Sequence, residues 1–405
     1  MFGKRVVITG AGAVSPFGLG AELLTSEIHA GHCGIGIMPG HEEVAELGAS
    51  VAAVVPEIDL KAIPRQQRRS MSKMAAYAYL AAHEALENAG LAKYPLEMGV
   101  SLGTTMGSPD TLTEFFTEYL GHNKGFGNLR STTFFKIMGH GAASSLALAL
   151  GLNGPTLAPS AACAAGLQAI GLGARAISAG EADLMLCGGT EEFNVLTALT
   201  FDHIMAASHN PDPLAASRPF DINRDGLVCG EGAGLVLLES EEHAKKRGAA
   251  ILGEIVGFAT STSPASLAHP DLEGIKLCME RALADSGLEP GDIDLVNAHA
   301  TSTIEGDRVE AAAIGGIFGS QTPVVSFKSQ LGHTMAASGA LELIICLWMM
   351  RNNIILPNIN LSEPDLESSH LRLPRESGQG IMEVILKNSL ALGGVNATLL
   401  IKKYC

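Results

Sequence analysis

The stretch Gly154-Pro155-Thr156-Leu157-Ala158-Pro159-Ser160-Ala161-Ala162-Cys163, followed at once by Ala164-Ala165-Gly166-Leu167, reads as an extended segment running into a helix. Its two prolines keep the first part out of helical geometry, and the small-residue run through Ala179 has the composition of a buried helix. A second stretch is built alike, with Leu295-Val296-Asn297 leading into Ala298-His299-Ala300-Thr301. Other short apolar runs, at residues 6–8, 99–102, 183–187, 236–239, 255–258, 324–326 and 397–402, read as strands. Helical stretches fall between them at 72–88, 134–150, 164–179, 273–286 and 336–351. This alternation predicts an α/β fold with mostly buried sheets.

Composition agrees with a large core. Of 405 residues 47% are hydrophobic and 17% charged, and 47 glycines suit tight turns and close backbone contacts. The formal net charge of −15 argues against nucleic-acid binding, which needs a basic surface. Residues 120–132 and 203–226 are rich in Gly, Asn and Pro and read as loops. A charged break near 245–253 divides the chain into 1–250 and 251–405, each half holding one of the strand-to-small-residue turns. No short repeat accompanies the layout, so similarity of the halves rests on the order of elements.

The start, Met1-Phe2-Gly3-Lys4-Arg5-Val6-Val7-Ile8-Thr9-Gly10, reads as a strand entering a glycine turn, without the apolar region of a secretory signal. No apolar run reaches the roughly 18 residues of a membrane span. The most apolar candidate, 341–350, carries Glu342 and reads as a buried helix. Seven cysteines (33, 163, 187, 229, 278, 346, 405) are odd in number and lack Cys-x-x-Cys spacing. That disfavours disulfides and zinc, and a cytoplasmic location is expected.

Cys163 stands where an extended segment becomes a helix, a place whose unpaired N–H groups favour an anion. A thiol there is expected to have a depressed pKa, although the segment alone fits a small buried cysteine equally well. His299 follows one β-rich run. His333, in Phe327-Lys328-Ser329-Gln330-Leu331-Gly332-His333-Thr334, follows another. Open α/β sheets place their chemistry at such strand ends. Taken singly each histidine reads as structural, but a cysteine with two of them points to acyl or carbanion chemistry. No His-x-x-x-His or carboxylate cluster suggests a metal. The run Thr9-Gly10-Ala11-Gly12-Ala13-Val14 hints at dinucleotide binding, but Ser15 replaces the third fingerprint glycine.

Further motifs accompany these: Ser217-Arg218-Pro219-Phe220-Asp221, Arg224-Asp225-Gly226-Leu227-Val228, Gly230-Glu231-Gly232-Ala233-Gly234, Lys328-Ser329, Gly332-His333 and Gly393-Gly394-Val395-Asn396. With them the whole chain resembles the elongating β-ketoacyl-[acyl carrier protein] synthases, the condensing enzymes of fatty acid and polyketide assembly. The resemblance implies a thiolase-like five-layer α-β-α-β-α fold with two similar halves. It implies that Cys163 is the nucleophile and that His299 and His333 promote malonyl decarboxylation, supported by Lys328 and Glu342. Thr301 and Thr303 would bind the phosphopantetheine arm, and the N–H groups of Cys163 and Leu392 would hold the thioester oxygen. The family binds no cofactor of its own, since acyl carrier protein brings the 4′-phosphopantetheine. Non-catalytic chain-length partners lose the nucleophilic cysteine, which this chain keeps; thiolase-type degradation fits the two-histidine pattern less well. A homodimer is implied, with a heterodimer containing a chain-length-factor-like subunit left open.

Between Lys61 and His83 lie Lys61, Arg65, Arg68, Arg69 and Lys73 without a single carboxylate before Glu84. This local reversal of sign suits an acidic carrier protein, and also suits a solvated helix face. Where the family carries Asn-Ser-Phe-Gly-Phe-Gly-Gly, this chain has Asn388-Ser389-Leu390-Ala391-Leu392-Gly393-Gly394. Leu390 and Leu392 stand in place of the two phenylalanines, Leu392 thus replacing the aromatic gate beside the nucleophile and Ala391 a hinge-like glycine; Gly107 is expected to leave an acyl channel open, and Phe201 is expected to line it. These departures lead to the expectation of a specialised synthase for a conjugated or unsaturated chain.

Overall fold

In the computed structural model, which describes residues 3–44, 46–121, 125, 129–264, 266, 267 and 269–404, one strand pattern occurs twice. The first half contains β1 (Val6–Ser15), β2 (Gly99–Gly103), β3 (Thr156–Leu157), β4 (Leu184–Glu191) and β5 (Gly232–Ser240). The second contains β6 (Gly253–Thr262), β7 (Leu295–Asn297), β8 (Val324–Val325), β9 (Val384–Leu390) and β10 (Val395–Lys402). Spatial order is β1-β5-β4-β2-β3 in one half and β6-β10-β9-β7-β8 in the other, which is the same order shifted by five. Directions match too: the first two pairings in each half are antiparallel and the last two parallel. A short antiparallel contact, Val6 opposite Ile255, joins the halves into one continuous sheet.

Eight helices frame the site: α1 (Lys73–Asn88), α2 (Pro109–Gly121), α3 (Gly141–Leu150), α4 (Ala165–Ala179), α5 (Val195–His203), α6 (Leu272–Ser286), α7 (Ile304–Phe318) and α8 (Ser338–Asn352). Helices α4 and α8 pack against each other, and each touches strands of both halves. Helix α1 covers the outer face of the first half and α6 with α7 that of the second, which completes five layers. Twelve of the fifteen residues of α8 are buried, each large apolar one contributing roughly 1.5–3 kcal/mol. The stretch Ala162–Ala179 is itself 18 residues long and apolar enough to cross a membrane, but two-thirds of it is buried as the central helix α4.

Several elements differ from the sequence expectation. The first strand does not turn at Gly10 but continues to Ser15. A Cβ at Gly10 or Gly12 would lie 2.1 or 1.9 Å from the Ala85 or Ala81 carbonyl oxygen, so these glycines let α1 lie flat on β1. They form no phosphate-binding turn, which removes the dinucleotide reading. The expected helix 134–150 is two helices, Ser131–Ile137 and α3, because the backbone turns extended at Met138 (φ −60°, ψ 137°) ahead of Gly139-His140-Gly141. Strand β9 and helices α2, α5 and α7 lie where neither strand nor helix was expected. Cys405 and residues 122–124 and 126–128 of the glycine-rich stretch 120–132 lie outside the described residues.

Candidate active site

Cys163 sits in a single 3₁₀ turn, Ala162–Ala164, directly before α4. A matching turn, Met335–Ala337, precedes α8. Ala162 and Met335 take left-handed backbone angles, φ 45° and 49°, so the two turns are counterparts. They face each other across a glycine contact: a Cβ on Gly166 or on Gly189 would lie 2.1 Å from the Ala336 carbonyl oxygen. The backbone of His333 is pinned by its N–H donating to Val228 O at 2.7 Å and its carbonyl accepting from Gly230 N–H at 2.9 Å.

These constraints bring Cys163 Sγ to 2.9 Å from His333 Nε2. Nδ1 of His333 lies 3.1 Å from Ser338 Oγ at the start of α8. With the Nδ1 proton donated to Ser338, Nε2 is free to accept the thiol proton. His299 packs edge-on to His333, ring centroids 5.1 Å apart. Its backbone N–H and that of Ala300 donate to the Glu310 carboxylate at 2.8 and 2.7 Å. Glu310 also accepts from Asn388 Nδ2 at 3.2 Å.

Behind the histidines, Lys328 Nζ donates to Glu342 Oε1 at 2.5 Å, and Lys387 Nζ donates to Glu342 Oε2. All three side chains are buried. Burial holds both histidines well below the usual imidazole range, and Lys328 pushes the same way, so the rings are neutral at pH 7. The expectation of a depressed thiol pKa is overturned. Burial pushes Cys163 up to about 12 and outweighs the opposing pull of Lys328. Cys163 rests as a thiol with a neutral acceptor beside it. Glu191, accepting from Thr105 and Ala336 N–H at 3.2 and 3.4 Å, is pushed up to about 7 by burial.

Two cavities meet at Cys163. One, of about 430 Å³, is lined by His299, His333, Thr301, Thr303 and Leu390, with the two threonine hydroxyls 3.0 Å apart. The other, of about 530 Å³, runs between α2 and α5 along Met106, Phe116, Leu196 and Met335. Phe201 and Leu392 line both. Gly107 lines neither: it lies buried at φ 91°, where a Cβ would meet Ile137 O at 2.7 Å, and Met106 is the cavity residue instead. Its glycine serves the backbone and does not set channel width.

Arg65, Arg68 and Arg69 surround a surface depression together with Arg130, and Lys61 is exposed nearby. Lys73 departs from this patch and pairs inward with Glu231 at 2.8 Å. Sequence reasoning missed Arg130, Ser338, Glu310 and Lys387. Of these only Lys387 had a local signal, a lone charge after the apolar Val384–Ile385–Leu386 run. The ligand atoms of Cys163, His299 and His333 also lie within 4.8 Å of one another, a metal-like grouping that spacing did not reveal. The buried ammonium groups of Lys328 and Lys387 oppose a cation there.

Residues 3–244 match the β-ketoacyl synthase N-terminal domain and 252–362 the β-ketoacyl synthase C-terminal domain. The chain belongs to the β-ketoacyl synthase family. It is 35% identical to 3-oxoacyl-[acyl-carrier-protein] synthase 2 of Rhizobium meliloti, over 99% of both chains. Nodulation protein E of Rhizobium leguminosarum bv. trifolii is 36% identical over 98% of both. A β-ketoacyl synthase from Burkholderia phymatum superposes with a TM-score of 0.96 at 36% identity, covering 99% of this chain and 100% of that one. The ishigamide ketosynthase/chain length factor gives 0.92 at 31%, with the same coverage. This β-ketoacyl synthase is therefore an acyltransferase with the thiolase-like fold of its relatives.

Proposed function

We propose that Cys163, His299 and His333 carry out decarboxylative Claisen condensation in two half-reactions. The thiol attacks a carrier-bound acyl thioester, His333 Nε2 takes the thiol proton, and the carrier thiol leaves with a proton. Malonyl-carrier protein then enters the first cavity. Once the carrier thiol has left, His333 holds its proton on Nε2 with Nδ1 accepting from the Ser338 hydroxyl, and loss of CO₂ leaves an enolate whose oxygen is held by the imidazole N–H donors. Its carbon attacks the Cys163 thioester, the thiolate departs and is reprotonated, and a 3-ketoacyl chain two carbons longer remains on the carrier. The observation that carries this reading is the 2.9 Å Sγ–Nε2 contact beside a second neutral imidazole. Neutral rings can donate and accept hydrogen bonds without an external base. Lys328 and Glu342 act as electrostatic support, and residues 1–250 and 251–405 are read as the halves contributing nucleophile and histidines.

Thr301 and Thr303 are assigned to the phosphopantetheine arm, Phe201, Leu390 and Leu392 to the acyl neighbourhood, and the backbone N–H groups of Cys163 and Leu392 to the thioester oxygen. Lys61, Arg65, Arg68 and Arg69, joined by Arg130, are assigned to an acidic carrier protein. A second copy of the chain would cover the exposed apolar side chains Phe116, Leu120, Phe134, Phe135 and Leu148. The ketosynthase/chain length factor relative supports the heterodimer alternative. The six cysteines among the described residues are free, which suits the reducing cytoplasm. The gate of Leu390, Ala391 and Leu392 favours an unsaturated or conjugated acyl chain in either fatty acid or polyketide assembly. Intact-mass analysis with a panel of acyl-carrier proteins, then malonyl-carrier protein, tests the reading. An adduct absent from Cys163→Ala and a two-carbon-longer ketoacyl product are expected. Lack of an adduct on the wild-type chain would overturn it, and best use of saturated primers would overturn the chain preference.

A further inference from the structure

Glu342 offers two carboxylate oxygens, and each holds a buried ammonium group: Lys328 on Oε1 and Lys387 on Oε2. Lys387 reaches its place from β9 and also donates to the Asn388 carbonyl oxygen at 2.6 Å. A one-to-one buried ion pair neutralises itself, whereas two ammonium groups on one carboxylate do not. An apolar side chain at 387 would avoid the desolvation cost of a second buried cation. We infer that Lys387 is a positioning residue for condensation: by sharing Glu342 with Lys328, it adds a second buried ammonium group behind His299 and His333, where the malonyl carboxylate arrives and the enolate forms. The inference rests on the condensing reaction proposed above.

The other titratable groups around the two imidazoles do not cancel this charge equally. Glu310, from α7, is committed to the N–H groups of His299 and Ala300, and burial pushes its carboxyl up, with Lys387 opposing. Glu191, at the end of β4, faces the Cys163 side and is pushed up to about 7. Cys163 is a thiol. Asp225, Asp271, Glu305 and His269 lie at the mouth of the first cavity, toward solvent. Lys387 therefore works in the same direction as burial and Lys328 on both rings. It disfavours an imidazolium and attracts an anion. An imidazolium could not accept the thiol proton, so the charge matters to both half-reactions.

Lys387→Gln separates charge from packing, because glutamine has nearly the length and can still donate to Glu342 Oε2 or Asn388 O. Two readouts are taken: the pH dependence of malonyl-carrier decarboxylation by acylated enzyme, and the ring titration of His299 and His333 by NMR on ¹⁵N-histidine protein. The acidic limb of Lys387→Gln is expected to move up by about one pH unit, with a several-fold higher KM for malonyl-carrier protein, and Lys387→Arg is expected to restore the limb. If Lys387→Gln matches wild type in both pH profile and KM, with only Lys387→Met impaired, the role is hydrogen bonding or packing and the inference is overturned. Should Lys387→Gln fail to fold, the ring titration is compared between wild type and Lys387→Met, which is neutral and of similar length. A ring titrating near its ordinary value of about 6.5 in wild type, or at the same pH in both proteins, refutes the inference, and a higher value in Lys387→Met supports it. A wild-type enzyme that never decarboxylates malonyl-carrier protein would sink the condensing reading instead, while the histidine titration still reports on the charge.

Discussion

Gly166→Ala adds one methyl group a few residues from the nucleophile, and its consequence can be worked from a single contact. The new Cβ would lie 2.1 Å from the Ala336 carbonyl oxygen and 3.1 Å from the Gly189 Cα. The first distance is about 1 Å short of ordinary contact. Neither α4 nor β4 can yield easily, since both are buried in the layered core, so the turn Met335–Ala337 moves. That turn begins two residues after His333 and is tied to Glu191 through the Ala336 N–H. Overpacking costs about 1–3 kcal/mol, partly offset by about 1 kcal/mol from replacing a helical glycine. Net stability therefore changes by no more than about 2 kcal/mol. A misplacement of about 1 Å between thiol and imidazole lowers the rate about a hundredfold. Single-turnover acylation of Cys163 followed by mass, alongside calorimetric Tm, measures both. Gly316→Ala on α7 is the control: the nearest atom to its Cβ is Lys276 Cε at 4.0 Å, so it should gain about 0.5–1 kcal/mol without loss of rate. Acylation by Gly166→Ala within twofold of wild type would refute the reasoning, since the turn would then have yielded without disturbing His333.

Ser338→Ala removes the partner of His333 Nδ1, and roughly tenfold slower acylation with little change in Tm is expected from a lost buried hydrogen bond of about 1.4 kcal/mol; an unchanged rate would show that Ser338 does not orient the ring. Arg68→Glu with Arg69→Glu is expected to raise KM for carrier-bound substrate about tenfold, more at low salt, while a small pantetheine thioester reacts as before. Equal losses on both substrates would remove the docking role. Glu191 is pushed up to about 7, so the folded protein keeps a proton that the unfolded chain releases near pH 4.3. Its contribution to stability therefore falls as pH rises from about 4.5 to 7, on the order of 3 kcal/mol in all. Glu191→Gln should flatten Tm against pH across that window, and an identical slope in calorimetry would contradict the burial argument.

The alternation of strands and helices was legible because buried strands and helices differ in length and flanking residues. Strand β9 escaped notice because Lys387 and Asn388 interrupt its apolar run, and their side-chain partners Glu342, Glu310 and Thr398 lie on other elements. Helix α2 was overlooked although Leu112, Phe115, Phe116, Tyr119 and Leu120 recur at helical spacing; that face is half-buried or exposed, and of its thirteen residues only Pro109 and Thr111 are buried. Cys163, His299 and His333 were found through their motifs, since each follows an extended run. Their protonation state was not legible, because a helix start seen locally says nothing of how much protein surrounds the thiol. The same limit applied to Gly107, whose small size answers to Ile137 across a turn.

The left-handed angles of Ala162 and Met335 have a thermodynamic consequence for the whole molecule. A non-glycine residue in that region costs about 1–2 kcal/mol, and here the cost is carried twice, at the turn that holds the thiol and at the turn that follows the imidazole. Glycine at either position would relieve the strain locally, yet would also widen the range of backbone angles open to the nucleophile. The enzyme is thus less stable than its layers permit, and part of the difference lies where a fixed direction of attack is required.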